Sequence, residues 1–242
     1  MRVAVISDIH ANLHALTAVL AEIEREQPDA LWCLGDLVGY GPRPNDCCRT
    51  VREEADLSLV GNHDLVVLGA VDVAEFNPEA GEAAEWTRRA LSKESRDYLG
   101  SLEPSAVRDN VELYHGSPRD AVWDYVLDGE AVHASFELTK APYVLIGHSH
   151  IPIVARLEDE QVHASHAPDG TEEKLNGGRL LLNPGSVGQP RDGDARAAWL
   201  LLDLGAGRAF FHRVEYPIER TQKEMLDAGL PDPLAERLAH GL

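Results

Sequence analysis

Short apolar runs recur along this chain, and they share an ending. Residues 3–6 run into Ser7-Asp8-Ile9-His10, residues 30–34 into Gly35-Asp36, and residues 57–60 into Gly61-Asn62-His63-Asp64. The same happens at 111–114 with His115-Gly116, at 143–146 with Gly147-His148-Ser149-His150, and at 180–182 with Asn183-Pro184-Gly185-Ser186. Runs of this length, rich in Val, Ile and Leu and bounded by Gly or Pro, read as buried strands. Between the first of them, Leu13, Leu16, Leu20 and Ile23 repeat at a helical period across 13–26, with Pro28 beyond the end. A shorter helical stretch covers 45–54. This strand–helix alternation implies a mostly parallel sheet covered by helices, in which ligand groups collect at the carboxyl ends of the strands. Each run here carries an Asp, Asn or His at that end.

Residues 65–104 interrupt the order and read as a helical insertion, with helices at 82–90 and 93–99 packed through Trp86, Leu91, Tyr98 and Leu99. From about 105 onward the pattern is strand-rich, with further candidates at 179–182, 198–202 and 209–214. The polar, Gly-rich segment 169–178 predicts a mobile hairpin loop. The tail, 217–242, holds two short helical patterns separated by Pro231 and Pro233. The expected organisation is one domain over 1–216, carrying the insertion, with the helical tail packed on it. A chain of 242 residues is long enough for one sizeable core.

Charge narrows the partners. Asp and Glu number 41 against 22 Lys and Arg, a formal net charge of −19. A field of that sign repels polyanions. Only 6% of residues are aromatic, which argues against a stacking platform for single strands. No stretch approaches the length of a membrane span, and the first apolar run is too short for a signal peptide. The three cysteines, two of them adjacent at Cys47-Cys48, offer neither a disulfide framework nor a Cys-x-x-Cys pair. These features predict a soluble cytoplasmic protein without membrane or nucleic-acid partners; a homo-oligomer stays open. Trp86, Trp123 and Trp199 are expected in the core, with a wall of the pocket as the alternative for Trp123, which is near His115 in sequence; Cys33 is assigned to a strand core, and Cys47 and Cys48 to a helix. His14 is assigned to a helix, and His133, His163, His166, His212 and His240 to exposed loops.

The polar residues at the strand ends form one donor set. Asp8 and His10, two positions apart, are expected to project to one side of the backbone, and His148 and His150 repeat that spacing. Asp36, Asn62 and His115 bring the set to seven oxygen and imidazole donors. Mixed donors of this kind without Cys suit Mn, Fe, Co, Ni or Zn. Seven exceed one tetrahedral site and match two octahedral ions sharing a carboxylate, about 3.5–4 Å apart.

In this order the motifs resemble the calcineurin-like metallophosphoesterase superfamily, and in particular its compact bacterial and archaeal phosphodiesterase-type branch. The resemblance runs through Asp8-Ile9-His10, Gly35-Asp36, Gly61-Asn62-His63-Asp64, His115 and Gly147-His148-Ser149-His150, with Asn183-Pro184-Gly185-Ser186 after them. It implies an α/β fold, specifically a four-layer α/β/β/α sandwich of two mixed sheets, and a binuclear phosphoric ester hydrolase. By the same resemblance Asp8, His10, Asp36 and His150 hold one divalent ion, and Asp36, Asn62, His115 and His148 the other. Manganese is the first candidate, with Fe, Zn, Ni and Co as alternatives. The resemblance further implies that a hydroxide bridging the ions would attack phosphorus, that His63 would protonate the leaving alkoxide, and that Asp64 would fix the His63 ring.

The second motif departs from the phosphoprotein phosphatases, in which an Arg clamps phosphate. Here Gly35-Asp36-Leu37-Val38-Gly39-Tyr40-Gly41 puts Tyr40 in that place. A weaker clamp disfavours dianionic monoesters and points to a small phosphodiester or nucleotide-like substrate. Tyr40, Arg43, Arg119 and Arg191 are the candidate substrate-binding residues. Within the family, a dinucleoside polyphosphate hydrolase or a phosphomonoesterase is the alternative, although the same missing Arg counts against the symmetrical diadenosine tetraphosphatase reading. A DNA nuclease shares the five motifs, but the −19 charge and the lack of a DNA-binding arm count against it. Outside enzymes the alternative is a non-catalytic protein-interaction scaffold of the same fold, which predicts substitutions among the ligands or at the proton donor. None is found.

Overall fold

The computed structural model describes all of residues 1–242. Strands and helices alternate at first: β1 (Arg2–Ile6), α1 (Leu13–Glu26), β2 (Ala30–Cys33), α2 (Pro44–Glu54), β3 (Leu57–Ser58) and α3 (Asn62–Leu68). A 3-10 turn (Val73–Glu75) leads to α4 (Pro78–Ala90) and α5 (Lys93–Leu99). The second half begins β4 (Ser105–Arg108), β5 (Val111–Tyr114), α6 (Gly129–Leu138), β6 (Tyr143–Leu145), β7 (Ile153–Glu158) and β8 (Gln161–His166). It ends with β9 (Glu172–Lys174), β10 (Arg179–Asn183), β11 (Ala197–Asp203), β12 (Arg208–Val214), α7 (Ile218–Asp227) and α8 (Asp232–Glu236). Local signals set the helix ends. The Asn12 side chain caps α1 by accepting from the Ala15 amide, and the helix stops at a left-handed Gln27 ahead of Pro28.

The strands form two mixed six-stranded sheets, in the orders β3-β2-β1-β11-β12-β9 and β4-β5-β6-β10-β7-β8. β1, β2 and β3 are parallel, as are β5, β6 and β10, while β11 and β7 join their sheets antiparallel. Side-chain alternation along β1 explains the layering. Ala4 and Ile6 pack with Leu16 and Val19 of α1, whereas Val3 and Val5 join Leu113, Leu145 and Leu182 of the facing sheet. Val132 and Phe136 of α6 cover the far side of that second sheet. The outcome is the α/β/β/α sandwich. Beside it, Met225 of α7, Leu234 of α8 and Ala83 of α4 close a smaller apolar cluster around Tyr40.

Several local expectations need correction. Strand β8 left no periodic trace, because it is an edge strand whose residues are almost all exposed; β7 and α6, whose inner residues are buried, were not anticipated either. His163 and His166 therefore lie on a strand, not a loop, and His133 lies on α6. The segment 169–178 contains β9, which pairs with β12. His212 is part of β12, with its ring stacked on Trp199 at 4.4 Å between centroids. Trp199 and Cys33 are buried as expected, and Cys47 and Cys48 lie on α2 as expected and are buried there, but Trp86 and Trp123 are only half-buried. No helix is long and apolar enough to cross a membrane.

The connection between β10 and β11 crosses from one sheet to the other, and it ties the strand ends together. Val187 and Gly188 donate their amides to the carbonyls of Ser7 and Asp8, at 3.0 and 2.9 Å. The carboxyl ends of β1, β2 and β3 thereby face those of β5, β6 and β10.

Candidate metal centre

The donor residues stand just beyond these strand ends, several on left-handed backbone. φ is +54° at Asp8, +48° at His10, +52° at Asp36, +63° at His148 and +59° at His150. Left-handed turns, and not the two-residue period of a strand, thus bring Asp8 together with His10 and His148 together with His150. Such conformations cost roughly 1–3 kcal/mol each in a non-glycine residue and persist only when the surroundings enforce them. Here backbone bonds enforce them: the Asp8 and His10 amides donate to the Gly35 and Asp36 carbonyls, both at 3.0 Å. Gly61 is needed for space, because a Cβ there would overlap the Asp36 carboxylate.

Two clusters result. The ligating atoms of Asp8, His10, Asp36 and His150 lie within 4.8 Å of one another, as do those of Asp36, His115 and His148. Asp36 belongs to both. Asn62 joins the second cluster, its Oδ1 lying 3.1 Å from His115 Nε2. None of these seven residues is more than 2% exposed.

The hydrogen bonds around the imidazoles show what the clusters are built to hold. Nδ1 of His10, His115 and His150 donates to the carbonyls of Val38, Leu34 and Gln189, at 3.2, 2.9 and 2.6 Å. A carbonyl can only accept, so in each neutral ring the proton is on Nδ1 and the lone pair is on Nε2. Yet His10 Nε2 and His150 Nε2 face each other at 3.0 Å. Two acceptors at that distance need a cation or a proton between them. Nearby, Asp8 Oδ1, Asp36 Oδ2 and His148 Nε2 are buried without a hydrogen-bond partner. The residues fit divalent metal.

Protonation follows the same logic. Burial pushes the Asp8 carboxyl up, and neighbouring Asp36 adds to this, while His115 opposes it. Burial also acts on Asp36, but His115, His63 and His10 together outweigh it and hold that carboxylate far below its ordinary range. Burial lowers His10 to about 4 and His148 to about 3. On His115 the attraction of Asp36 and Asp8 overcomes burial and raises the ring to about 9.

The other predicted residues fare differently. His63 is buried, its ring 4.8 Å from that of His10, 4.3 Å from Tyr40 and 4.3 Å from Phe76. Asp64 does not touch that ring. Its carboxylate accepts from the amides of Leu37, Val38 and Gly61, because adjacent residues on a helix face apart. Burial, with Asp36 nearby, pushes Asp64 up. Arg43 is bound to Glu224 at 2.8 Å, and Arg119 forms an ion pair with Asp124. Arg191 alone of the three stands by the centre, its guanidinium 5.9 Å above the Tyr40 ring.

Sequence reading missed Phe76, which covers His63, and Tyr125, whose half-exposed ring lies 3.9 Å from that of His148. Trp123 stands one layer back, against Phe76 at 5.9 Å. Phe76 and Tyr125 lie outside the strand-end motifs, and no fixed spacing ties either to its histidine.

A model of the calcineurin-like phosphoesterase superfamily domain matches residues 1–207. An uncharacterised protein of Methanocaldococcus jannaschii is 36% identical over 245 residues, covering 99% of this chain and 98% of its own. The crystal structure of a metallophosphoesterase from Sphaerobacter thermophilus superposes with a TM-score of 0.90 at 42% identity, covering 100% of this chain and 99% of that one. A symmetrical bis(5'-nucleosyl)-tetraphosphatase of Yersinia pestis is 36% identical over an alignment of 104 residues that covers 37% of this chain and 36% of that protein.

Proposed function

The chain belongs to the calcineurin-like phosphoesterase superfamily, and from that premise we propose that it is a metal-dependent hydrolase of small phosphodiester or nucleotide-like substrates. Asp36 carries this reading, because its carboxylate is common to both donor clusters. Asp8, His10, Asp36 and His150 would hold one divalent ion and Asp36, Asn62, His115 and His148 a second. Manganese heads the candidates, ahead of Fe, Zn, Ni and Co. Ions bound there supply Lewis-acid polarisation of phosphoryl oxygens and acidify water towards neutral pH.

The chain's own residues do the rest. Asp36 Oδ1 accepts from the His63 amide at 2.9 Å, which orients the carboxylate and leaves Oδ2 for the clusters. His63 Nδ1 is buried against Gly39, so Nε2 is the atom placed to give a proton to a leaving oxygen. Burial keeps the ring neutral, and the approach of an anionic phosphoryl group favours its protonated form. Tyr40 and Phe76 limit its rotation, the task expected of Asp64. Asp64 acts indirectly, by fixing the loop that carries Leu37 and Val38. Arg191 is the cation available to substrate.

A complete donor set with His63 in place supports an enzyme over a scaffold. Buried free cysteines agree with a reducing, cytoplasmic setting. One domain over 1–216, with its insertion at 65–104 and the docked tail at 217–242, belongs to the same reading. A second reading, dinucleoside polyphosphate hydrolysis, draws on the partial match to the tetraphosphatase. The test is hydrolysis of bis(p-nitrophenyl) phosphate, lost on chelation and restored by Mn²⁺. Full activity in chelated protein would sink the proposal.

A further inference from the structure

The arginines near the centre are paired with carboxylates, with two exceptions. Arg43 is bound to Glu224, Arg119 to Asp124, Arg196 to Asp194 and Asp169, and Arg213 to Asp192. Arg191 sits in sequence beside Asp192 and close to Asp194, yet both acids turn away to other partners. Its guanidinium donates to Gln189 Oε1 at 2.9 Å and to the Tyr40 hydroxyl at 3.4 Å. Arg237, in the 3-10 turn Arg237–Ala239 of the tail, reaches the same Gln189 Oε1 at 3.5 Å. In a chain with 41 acidic and 22 basic residues, two guanidiniums share one neutral amide oxygen and no carboxylate.

The pair adjoins the metal centre. The Gln189 carbonyl accepts from His150 Nδ1 at 2.6 Å, and the Tyr40 ring beneath Arg191 lies 4.7 Å from His10 and 4.3 Å from His63. Both burial and the charge of Arg191 disfavour the cationic form of Arg237. Two like charges held together in this way are stabilised by a shared anion, and the planar guanidinium fork suits phosphoryl oxygens.

We propose that Arg191 and Arg237, converging on Gln189 beside His150, bind a second phosphoryl group of the substrate. This rests on the phosphoesterase reading and narrows its substrate class to molecules with two linked phosphoryl groups, such as nucleoside diphosphates and longer polyphosphate ends. Ions in the two clusters would already neutralise the scissile phosphoryl group, so two additional guanidiniums match a second one. They also come from separate segments, so the tail completes the binding site.

The test is calorimetric titration of the metal-loaded protein with AMP and with α,β-methylene-ADP, whose methylene bridge is not hydrolysed. The diphosphonate analogue should bind about tenfold more tightly than AMP, the size of one charge-assisted contact. Arg237→Gln should bring the two ligands to within about twofold of each other, and Arg237→Lys, which keeps the charge but loses the fork, should fall between. Equal affinities in the wild type, or a difference that persists in Arg237→Gln, would overturn the proposal. These titrations do not depend on turnover. The phosphoesterase reading fails separately, if no metal restores hydrolysis of bis(p-nitrophenyl) phosphate.

Discussion

His10 Nε2 and His150 Nε2 face each other at 3.0 Å while the Nδ1 atom of each ring donates to a backbone carbonyl. The contact joins residues 140 positions apart, one beyond β1 and the other beyond β6. Its two lone pairs are compatible only with something positive between them.

Metal should therefore stabilise the fold. At a hundredfold excess over its dissociation constant, a ligand specific to the native state contributes about 2.7 kcal/mol. For a chain of this size that is a rise in Tm of about 5–10 °C. Differential scanning fluorimetry with Mn²⁺ and with chelator checks it. The rise should be larger at pH 8 than at pH 5, because metal must displace the protons that His115, raised to about 9, and Asp8, raised to about 7, hold more firmly at the lower pH. No shift at either pH would count against the site.

His63→Ala should retain metal and lose turnover by about 10²–10⁴-fold, the range for removal of a general acid. Metal analysis alongside steady-state kinetics separates this from a disrupted centre. Wild-type turnover in the variant would remove His63 from the mechanism.

Gly61→Ala should damage the centre through sterics alone. φ at Gly61 is −104°, so backbone preference is not the cause; the added methyl would collide with Asp36. Overpacking costs about 1–3 kcal/mol, and here it falls on the carboxylate common to both clusters. Metal content and Tm should both drop.

Glu224 of α7 tethers the tail to the body by accepting from Arg43 at 2.8 and 3.0 Å and contacting His14 at 3.2 Å. Its bonds to Arg43 lower the carboxyl from 4.5 to about 2, against a smaller opposing effect of burial. A folded-state value below the unfolded one means the contribution is present above pH 4.5 and is lost as pH falls towards 2. Arg43 is half-exposed, so solvent screening holds the pair to at most about 1 kcal/mol. Glu224→Gln should lower Tm by about 2–4 °C at pH 7. The deficit should shrink at pH 3; equal deficits at both pH values would refute the tether.

Much of the centre was legible because its chemistry restricts residue type. Asp, Asn and His beyond Val- and Leu-rich runs are costly to place there without a purpose, so Asp8, Asp36, Asn62 and His148 stand out in the bare chain. The period of Leu13, Leu16, Leu20 and Ile23 likewise announces α1. Edge strands such as β8 left no trace, because a strand that buries little carries no alternation.

Residue types and their order along the chain announced the donor set and the layered fold, since local sterics and burial act on neighbouring residues. Partnership was settled by closure of the chain. Arg43 and Arg119 look alike in sequence to Arg191, yet Glu224 and Asp124 take the first two, and Arg191 meets Arg237 across 46 positions of chain. Phe76 reaches His63, and Tyr125 reaches His148, from loops with no fixed spacing to either. Charge pairing and ring stacking depend on distances through space, and those are set only when the two sheets pack and bring their strand ends together.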